Sequence, residues 1–253
     1  MALVESHLSG GVCTVTLNDV ERRNALSRDL LVELLDVLDE ADASDDVRVV
    51  VLTNAGSVFC AGANLSEQSS GASGAGGQRT VGMAEVFARF GRSPKPYVGK
   101  IAGHCVAGGM GLAAAMDIAI AVDTAKMGFT EVRIGVAPAI ISVPILARCG
   151  WSALAAPFLT GEPFDAHAAR DMGLITHVTD DVASTVQRLV DGVLAGAPNA
   201  VAEAKRILRS GAPDMEEMIA LSAALFRSDE AAEGMRAFAE KRPPRWAAPQ
   251  EGA

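Results

Sequence analysis

Aromatic residues are scarce, 4% of 253 residues with a single tyrosine, and basic residues are outnumbered, 22 Lys+Arg against 31 Asp+Glu for a net charge of −9. Base-stacking surfaces need aromatic rings, and polyanions need a cationic surface. Nucleic acid and anionic membranes are therefore excluded as partners, although a small anionic ligand held by a local basic cluster is not. Four cysteines, Cys13, Cys60, Cys105 and Cys149, lie far apart without a CxxC pair. That spacing supports no metal site and no redox motif, and it fits reduced thiols. The first ten residues carry Glu5 and His7 but no basic start followed by an apolar stretch. No secretory signal is visible, so the expectation is a cytoplasmic protein. The one long apolar run, Ile101 to Val122, holds His104, Asp117 and four glycines. A membrane span would strand Asp117 in lipid, so this run is read as buried within a soluble fold.

What the sequence does have is apolar content of 49%, enough for a sizeable core. Cys13, Val15 and Leu17 alternate with Val12, Thr14 and Thr16, the period of a half-buried strand. Ser27 can cap a helix in which Leu30, Leu31, Leu34, Leu35 and Leu38 recur at helical spacing. Val47 to Leu52 is a short, nearly continuous β-branched run, as in a parallel strand covered on both faces. Ser69 to Gly77, built from Ser, Gly and Ala alone, reads as a loop. Tyr97 to Ala102 and Ile118 to Val122 read as strands around a glycine-rich turn and a small-residue helix ending near Met116. This alternation of strand and helix predicts an α/β fold. Residues 1–181 form its core, and residues 182–253 form a helical region ending at Pro243-Pro244, with apolar stripes suited to a neighbouring subunit or to its own core.

Two segments carry the chemistry: Val58-Phe59-Cys60-Ala61-Gly62-Ala63-Asn64-Leu65 and Ala107-Gly108-Gly109-Met110-Gly111-Leu112. Each puts glycine just after a predicted strand, where it permits positive φ and close backbone approach. Two such turns can aim two amides at one negative oxygen, and the second opens a helix whose N-terminal dipole adds to the effect. Neither a GxxxxGK[ST] nor a GxGxxG pattern is present, so phosphate cradling has little support. Strand-to-helix junctions also use glycine simply for packing, and it is the pair of turns that gives the functional reading its weight.

The chain resembles the enoyl-CoA hydratase/isomerase, or crotonase, family. The resemblance rests on Asn24-Ala25-Leu26-Ser27, Phe59 to Leu65, Gly103 followed by Ala107-Gly108-Gly109, Asp117-Ile118, Glu131-Val132-Arg133-Ile134-Gly135, Phe158-Leu159-Thr160-Gly161 and Gly173-Leu174. It implies a spiral of ββα units with a C-terminal helical oligomerisation region, assembled as a homotrimer or a dimer of trimers. It also implies an acyl-CoA thioester substrate, with coenzyme A entering as part of the substrate and no permanently bound cofactor. The family's two oxyanion-hole amides fall on Ala63 and Gly108. The substrate-binding positions fall on Arg23, Ala25, Ala61, Gly62, Gly109 and Lys241, with Arg22 a further phosphate candidate. Ordinary surface cations are the alternative for the basic ones.

Family hydratases use two glutamates. The second matches Glu131; the first matches Gly111, which has no side chain. Hydration of a 2-enoyl-CoA by Glu131 alone is the leading expectation, and the run Val132 to Ser142 resembles a hydratase subgroup. Isomerisation of an enoyl-CoA by the same glutamate is the first alternative, and a CoA-ester binding protein with little catalysis the second. Without the family frame, Glu131 reads as a surface acid paired with Arg133 or capping a turn. Asp117 reads as a carboxylate receiving backbone N–H bonds at a helix end, and His104 as a structural histidine. Met83, Val86, Phe87 and Phe90 share a helical face, which predicts core more readily than acyl pocket.

Overall fold

The computed structural model describes residues 2–65, 67 and 82–247. The alternating segment is β2 (Val12–Leu17), with Cys13, Val15 and Leu17 buried, and it pairs antiparallel with β1 (Val4–Ser9). A turn through Val20–Arg22, with Arg23 and Asn24 in the left-handed region, leads to α1 (Arg28–Ala43). Ser27 Oγ accepts the Leu30 amide at 3.2 Å, and the five leucines of the predicted stripe are buried. The β-branched run is β3 (Val49–Asn54), whose first five residues are buried. α1 supplies part of the main core on one face, while Val49 and Val51 pack on the other with Val186 and Val190 of α7 (Val182–Ala195). Burial on both faces explains continuous rather than alternating hydrophobicity.

Three strand pairs then repeat one plan. β3 is followed by β4 (Val58–Cys60), β5 (Tyr97–Ile101) by β6 (His104–Val106), and β7 (Ile118–Val122) by β8 (Lys126–Gly128). After them come α2 (Met83–Arg92), α3 (Gly108–Ala115) and α4 (Ala139–Leu146) respectively. The first member of each pair enters a six-stranded sheet of order β1-β2-β3-β5-β7-β10, parallel from β2 onward, which β10 (His177–Thr179) completes. The second enters a four-stranded sheet, β4-β6-β8-β9, closed by β9 (Phe164–Asp165), which is antiparallel to β8. This is the spiral of ββα units. The apolar run from Ile101 to Val122 is thus divided among β5, β6, α3 and β7, and no described helix is long and apolar enough to cross a membrane.

α5 (Trp151–Thr160) and α6 (Ala166–Asp171) flank β9. Beyond residue 181, α7 covers the large sheet, so the helical region joins the core through its first helix. α8 (Pro198–Arg209), α9 (Met215–Phe226) and α10 (Asp229–Glu240) follow, and α10 ends at a left-handed Lys241 just ahead of Pro243-Pro244. The predicted Ser69 to Gly77 loop lies outside the described residues.

Candidate functional site

β4, β6 and β8 run parallel in adjacent positions, so their C-terminal ends share one edge of the small sheet, about 4.8 Å apart from strand to strand. The chain leaves those ends as Ala61-Gly62-Ala63, Ala107-Gly108 and Phe129-Thr130-Glu131. Ligands of parallel sheets gather at such an edge.

The first two turns touch. Gly62 has φ +92°, and a Cβ built on it would stand 2.7 Å from Ala107 Cβ and 3.2 Å from the Gly108 amide nitrogen. A Cβ on Gly108 would stand 3.3 Å from Gly62 Cα. Only glycine allows this approach. The surrounding hydrogen bonds fix the first turn: Leu26 N–H donates to the Gly62 carbonyl at 2.7 Å, and Ala61 N–H donates to the Arg23 carbonyl at 3.1 Å. Asn24 Nδ2 donates to the Val58 and Ala55 carbonyls, holding the 24–26 turn against β4. The second turn is tied to β8 by Ala107 N–H donating to the Gly128 carbonyl at 2.9 Å. Ala107 sits at φ 49°, ψ −120°, a strained conformation for alanine. Among the described residues, neither the Ala63 nor the Gly108 amide has a hydrogen-bond partner.

Glu131 begins a 3-10 turn, Glu131–Ile134, closed by Gly135 in the left-handed region. Its carboxyl group is half-buried, and among the described residues its buried Oε2 has no hydrogen-bond partner. Burial raises its pKa above the ordinary carboxylate range, while its own amide pulls slightly the other way. Pairing with Arg133 does not occur: the Arg133 guanidinium turns away and donates to the Thr160 carbonyl at 3.3 Å. A partly desolvated carboxylate with one oxygen free of partners can take up a proton there.

The position of the missing glutamate is filled. A Cβ on Gly111 would meet Phe87 Cζ at 2.5 Å and Ile141 Cγ2 at 2.8 Å, so the ring from α2 and the aliphatic chain from α4 occupy that space. One turn earlier on α2, Met83 Sδ lies 2.9 Å from where a Gly108 Cβ would be, with Leu26 Cδ1 at 3.0 Å. Periodicity identified Phe87 as buried; that it buries against Gly111 needed the fold.

Arg23, Ala25, Ala61, Gly62, Ala63 and Gly108 are thus brought together. Gly109 packs inward, where a Cβ would be 2.7 Å from the Cys60 carbonyl oxygen. Arg23 is exposed, whereas Arg22 pairs with Asp19 at 3.5 Å. Lys241 is not brought to this edge. The tail it opens is fastened by Arg242 on Glu233 and by Arg48, ahead of β3, donating to the Trp246 carbonyl at 3.4 Å, at the opposite end of the strands.

Asp117 takes the structural role expected, accepting the Tyr97 amide at 2.8 Å. His104 likewise accepts the Lys126 amide at Nδ1, 3.0 Å. Unread from the sequence were the cations around Asp117, namely Lys205 and Arg209. Among the described residues no three His, Cys, Asp or Glu side chains group as metal ligands would.

A family model described as enoyl-CoA hydratase/isomerase matches residues 7–249. The enoyl-CoA hydratase EchA19 of Mycobacterium tuberculosis is 34% identical over 254 residues, covering 96% of this chain and 95% of its own. Among solved structures, an enoyl-CoA hydratase/isomerase from Marinobacter aquaeolei superposes with a TM-score of 0.88 at 30% identity, covering 97% of this chain and 99% of that one. An enoyl-CoA hydratase from Mycobacterium avium is 40% identical with a TM-score of 0.75, at 97% and 99% coverage.

Proposed function

The chain belongs to the enoyl-CoA hydratase/isomerase family, and from that premise we propose that it hydrates a 2-enoyl-CoA thioester with Glu131 as its one proton-transferring side chain. The observation that carries this reading is the half-buried Glu131 carboxyl, its Oε2 without a partner among the described residues, at the sheet edge that also presents two unpartnered amides. In the proposed reaction the thioester oxygen accepts hydrogen bonds from the Ala63 and Gly108 amides, which draws electrons from the conjugated double bond. Glu131 takes a proton from water as the oxygen attacks C3, and the enolate charge collects on the thioester oxygen. The same carboxylic acid then returns the proton to C2, leaving a 3-hydroxyacyl thioester and a regenerated carboxylate. An oxyanion donor of this kind is worth about 3–4 kcal/mol in the transition state. Coenzyme A arrives with the substrate and leaves with the product. Arg23, Ala25 and Ala61 lie beside the amides, where its pantetheine and phosphates would be received. Lys241 could serve only a site other than that of its own chain, which fits the trimeric or hexameric assembly we propose. Exposed Phe226 and Phe238 on α9 and α10 support such an assembly.

A second reading, isomerisation, is favoured by Phe87 and Ile141 at Gly111. Glu131 would remove a proton from C2 of a 3-enoyl thioester and return it to C4, a shuttle that needs no bound water. Offering trans-2-enoyl-CoA and 3-enoyl-CoA in deuterated water separates the two. A 3-hydroxyacyl product establishes hydration, a shifted double bond with deuterium at C4 establishes isomerisation, and tight binding without turnover would leave a CoA-ester binding protein.

A further inference from the structure

α3 is a weak helix by composition. It is eight residues long, Gly-Gly-Met-Gly-Leu-Ala-Ala-Ala, all of them buried. Glycine in a helix interior costs about 1 kcal/mol relative to alanine, and a helix of two turns is marginal without tertiary support. Its first residue has no side-chain cap and follows the strained Ala107. The position of the Gly108 amide therefore depends on what holds the helix elsewhere.

The other end is held by charge. Arg209 Nη2 donates to the Ala115 carbonyl at 2.7 Å. Arg148 Nη2 donates to the Met116 and Asp117 carbonyls at 2.6 and 2.9 Å. Asp117 sits among these groups, pairing through Oδ1 with Arg209 at 2.7 Å and through Oδ2 with Lys205 at 2.9 Å. Lys205, only 6% exposed, also donates to the Lys95 carbonyl at 2.7 Å and lies over the Tyr97 ring, 5.1 Å from its centroid. Two of these cations pair with the Asp117 carboxylate, and the third, Arg148, donates to main-chain carbonyls at the end of α3. The negative end of the α3 dipole and its last carbonyls thus share in balancing their charge. The cations also arrive by separate routes. Arg148 follows α4, which packs along α3 after the Glu131 turn; Lys205 and Arg209 belong to α8.

We infer that Asp117, Arg148, Lys205 and Arg209 form a positioning clamp, which fixes α3 along its axis and so sets where the Gly108 amide meets the thioester oxygen. The inference rests on the reading of Gly108 as an oxyanion donor. None of the four touches substrate; they lie about 12 Å away at the far end of a two-turn helix. Donor distances in such a site matter at the level of tenths of an ångström, and a 1 Å misplacement costs on the order of 10²-fold in rate.

The test is Arg209→Met, read by kcat, by KM, and by the ultraviolet enolate band of bound acetoacetyl-CoA, a β-ketoacyl thioester whose enolate needs the oxyanion site. The expected result is a fall in kcat of roughly tenfold or more with a weakened enolate band, while KM changes by less than about threefold. Arg209→Lys should recover part of both. Arg206→Met, on the same helix but paired outward with Glu203 and Glu217, should change neither. A folded Arg209→Met protein with the wild-type kcat and enolate band overturns the clamp, as does a loss of activity that tracks only the unfolded fraction. If Arg209→Met does not fold, Arg209→Lys decides by the same two readouts: a point charge cannot span the Asp117 carboxylate and the Ala115 carbonyl together. Wild-type protein that neither turns over a CoA ester nor shows the enolate band would instead refute the oxyanion reading, and the clamp with it.

Discussion

Phe87 stands where a side chain at Gly111 would go, its Cζ 2.5 Å from the position of a Gly111 Cβ. The absence of the first family glutamate is thus a packed arrangement rather than a gap. Gly111→Glu should destabilise the protein by about 1–3 kcal/mol through overpacking, measured by chemical denaturation, and should not raise the hydration rate. Room for the carboxylate requires Phe87→Ala in the same chain, with Ile141, whose Cγ2 lies 2.8 Å from the Cβ position, shifting as well. A stable Gly111→Glu single variant with faster hydration would contradict this geometry.

Glu131→Gln should lower turnover by roughly 10²–10⁴ and leave binding of a saturated acyl-CoA nearly unchanged, as kinetics and calorimetry would report. It should also unfold at a higher temperature near neutral pH. Burial raises the Glu131 pKa in the folded state, so the charged form costs stability above that value. Below the ordinary carboxylate range both folded and unfolded chains are protonated, and the gain from glutamine should vanish there. Wild-type kcat/KM should rise with pH through the same raised pKa, since the base must be ionised. A variant that is less stable than wild type at neutral pH would refute the desolvated placement.

Gly62→Ala combines a left-handed φ of +92° with a contact of 2.7 Å to Ala107 Cβ. The two turns must part. The expected loss is roughly 10²–10³ in kcat, the value of one oxyanion donor, with about 1–3 kcal/mol of backbone strain visible in thermal unfolding. Retention of wild-type kcat would show that the contact between the turns is irrelevant to turnover.

All four cysteines are free and buried. Burial pushes the Cys60 thiol up to about 12 and Cys105 well above its ordinary value, so thiolate is scarce in the folded protein. A thiol-specific reagent at neutral pH should label none of the four quickly in native protein and all of them in denaturant. Rapid native labelling of Cys60 or Cys105, counted by mass spectrometry, would refute this.

The sequence made legible whatever depends on near neighbours. Alternation gave β2, the leucine stripe gave α1 with its Ser27 cap, and the nearly continuous β-branched run gave a strand covered on both sides. Asp117 was readable as a carboxylate receiving a backbone amide because a buried acid in an apolar run must have donors. Its cations were not readable: Arg209 lies 92 positions further on and reaches Asp117 only because α8 crosses the end of α3. Likewise the local expectation for Glu131 was pairing with Arg133, two residues apart, or capping a turn. The 3-10 turn sends the arginine to Thr160 and leaves Glu131 Oε2 without a partner among the described residues.

The turns at Ala63 and Gly108 offer main-chain amides rather than side chains, and the first of these residues is already alanine. A conventional alanine scan would pass over one member of the pair without registering it, and at the other would add a methyl group rather than delete anything. Replacing single peptide bonds by esters, which removes the N–H and leaves the side chains untouched, is the form of mutagenesis to which this part of the molecule is sensitive.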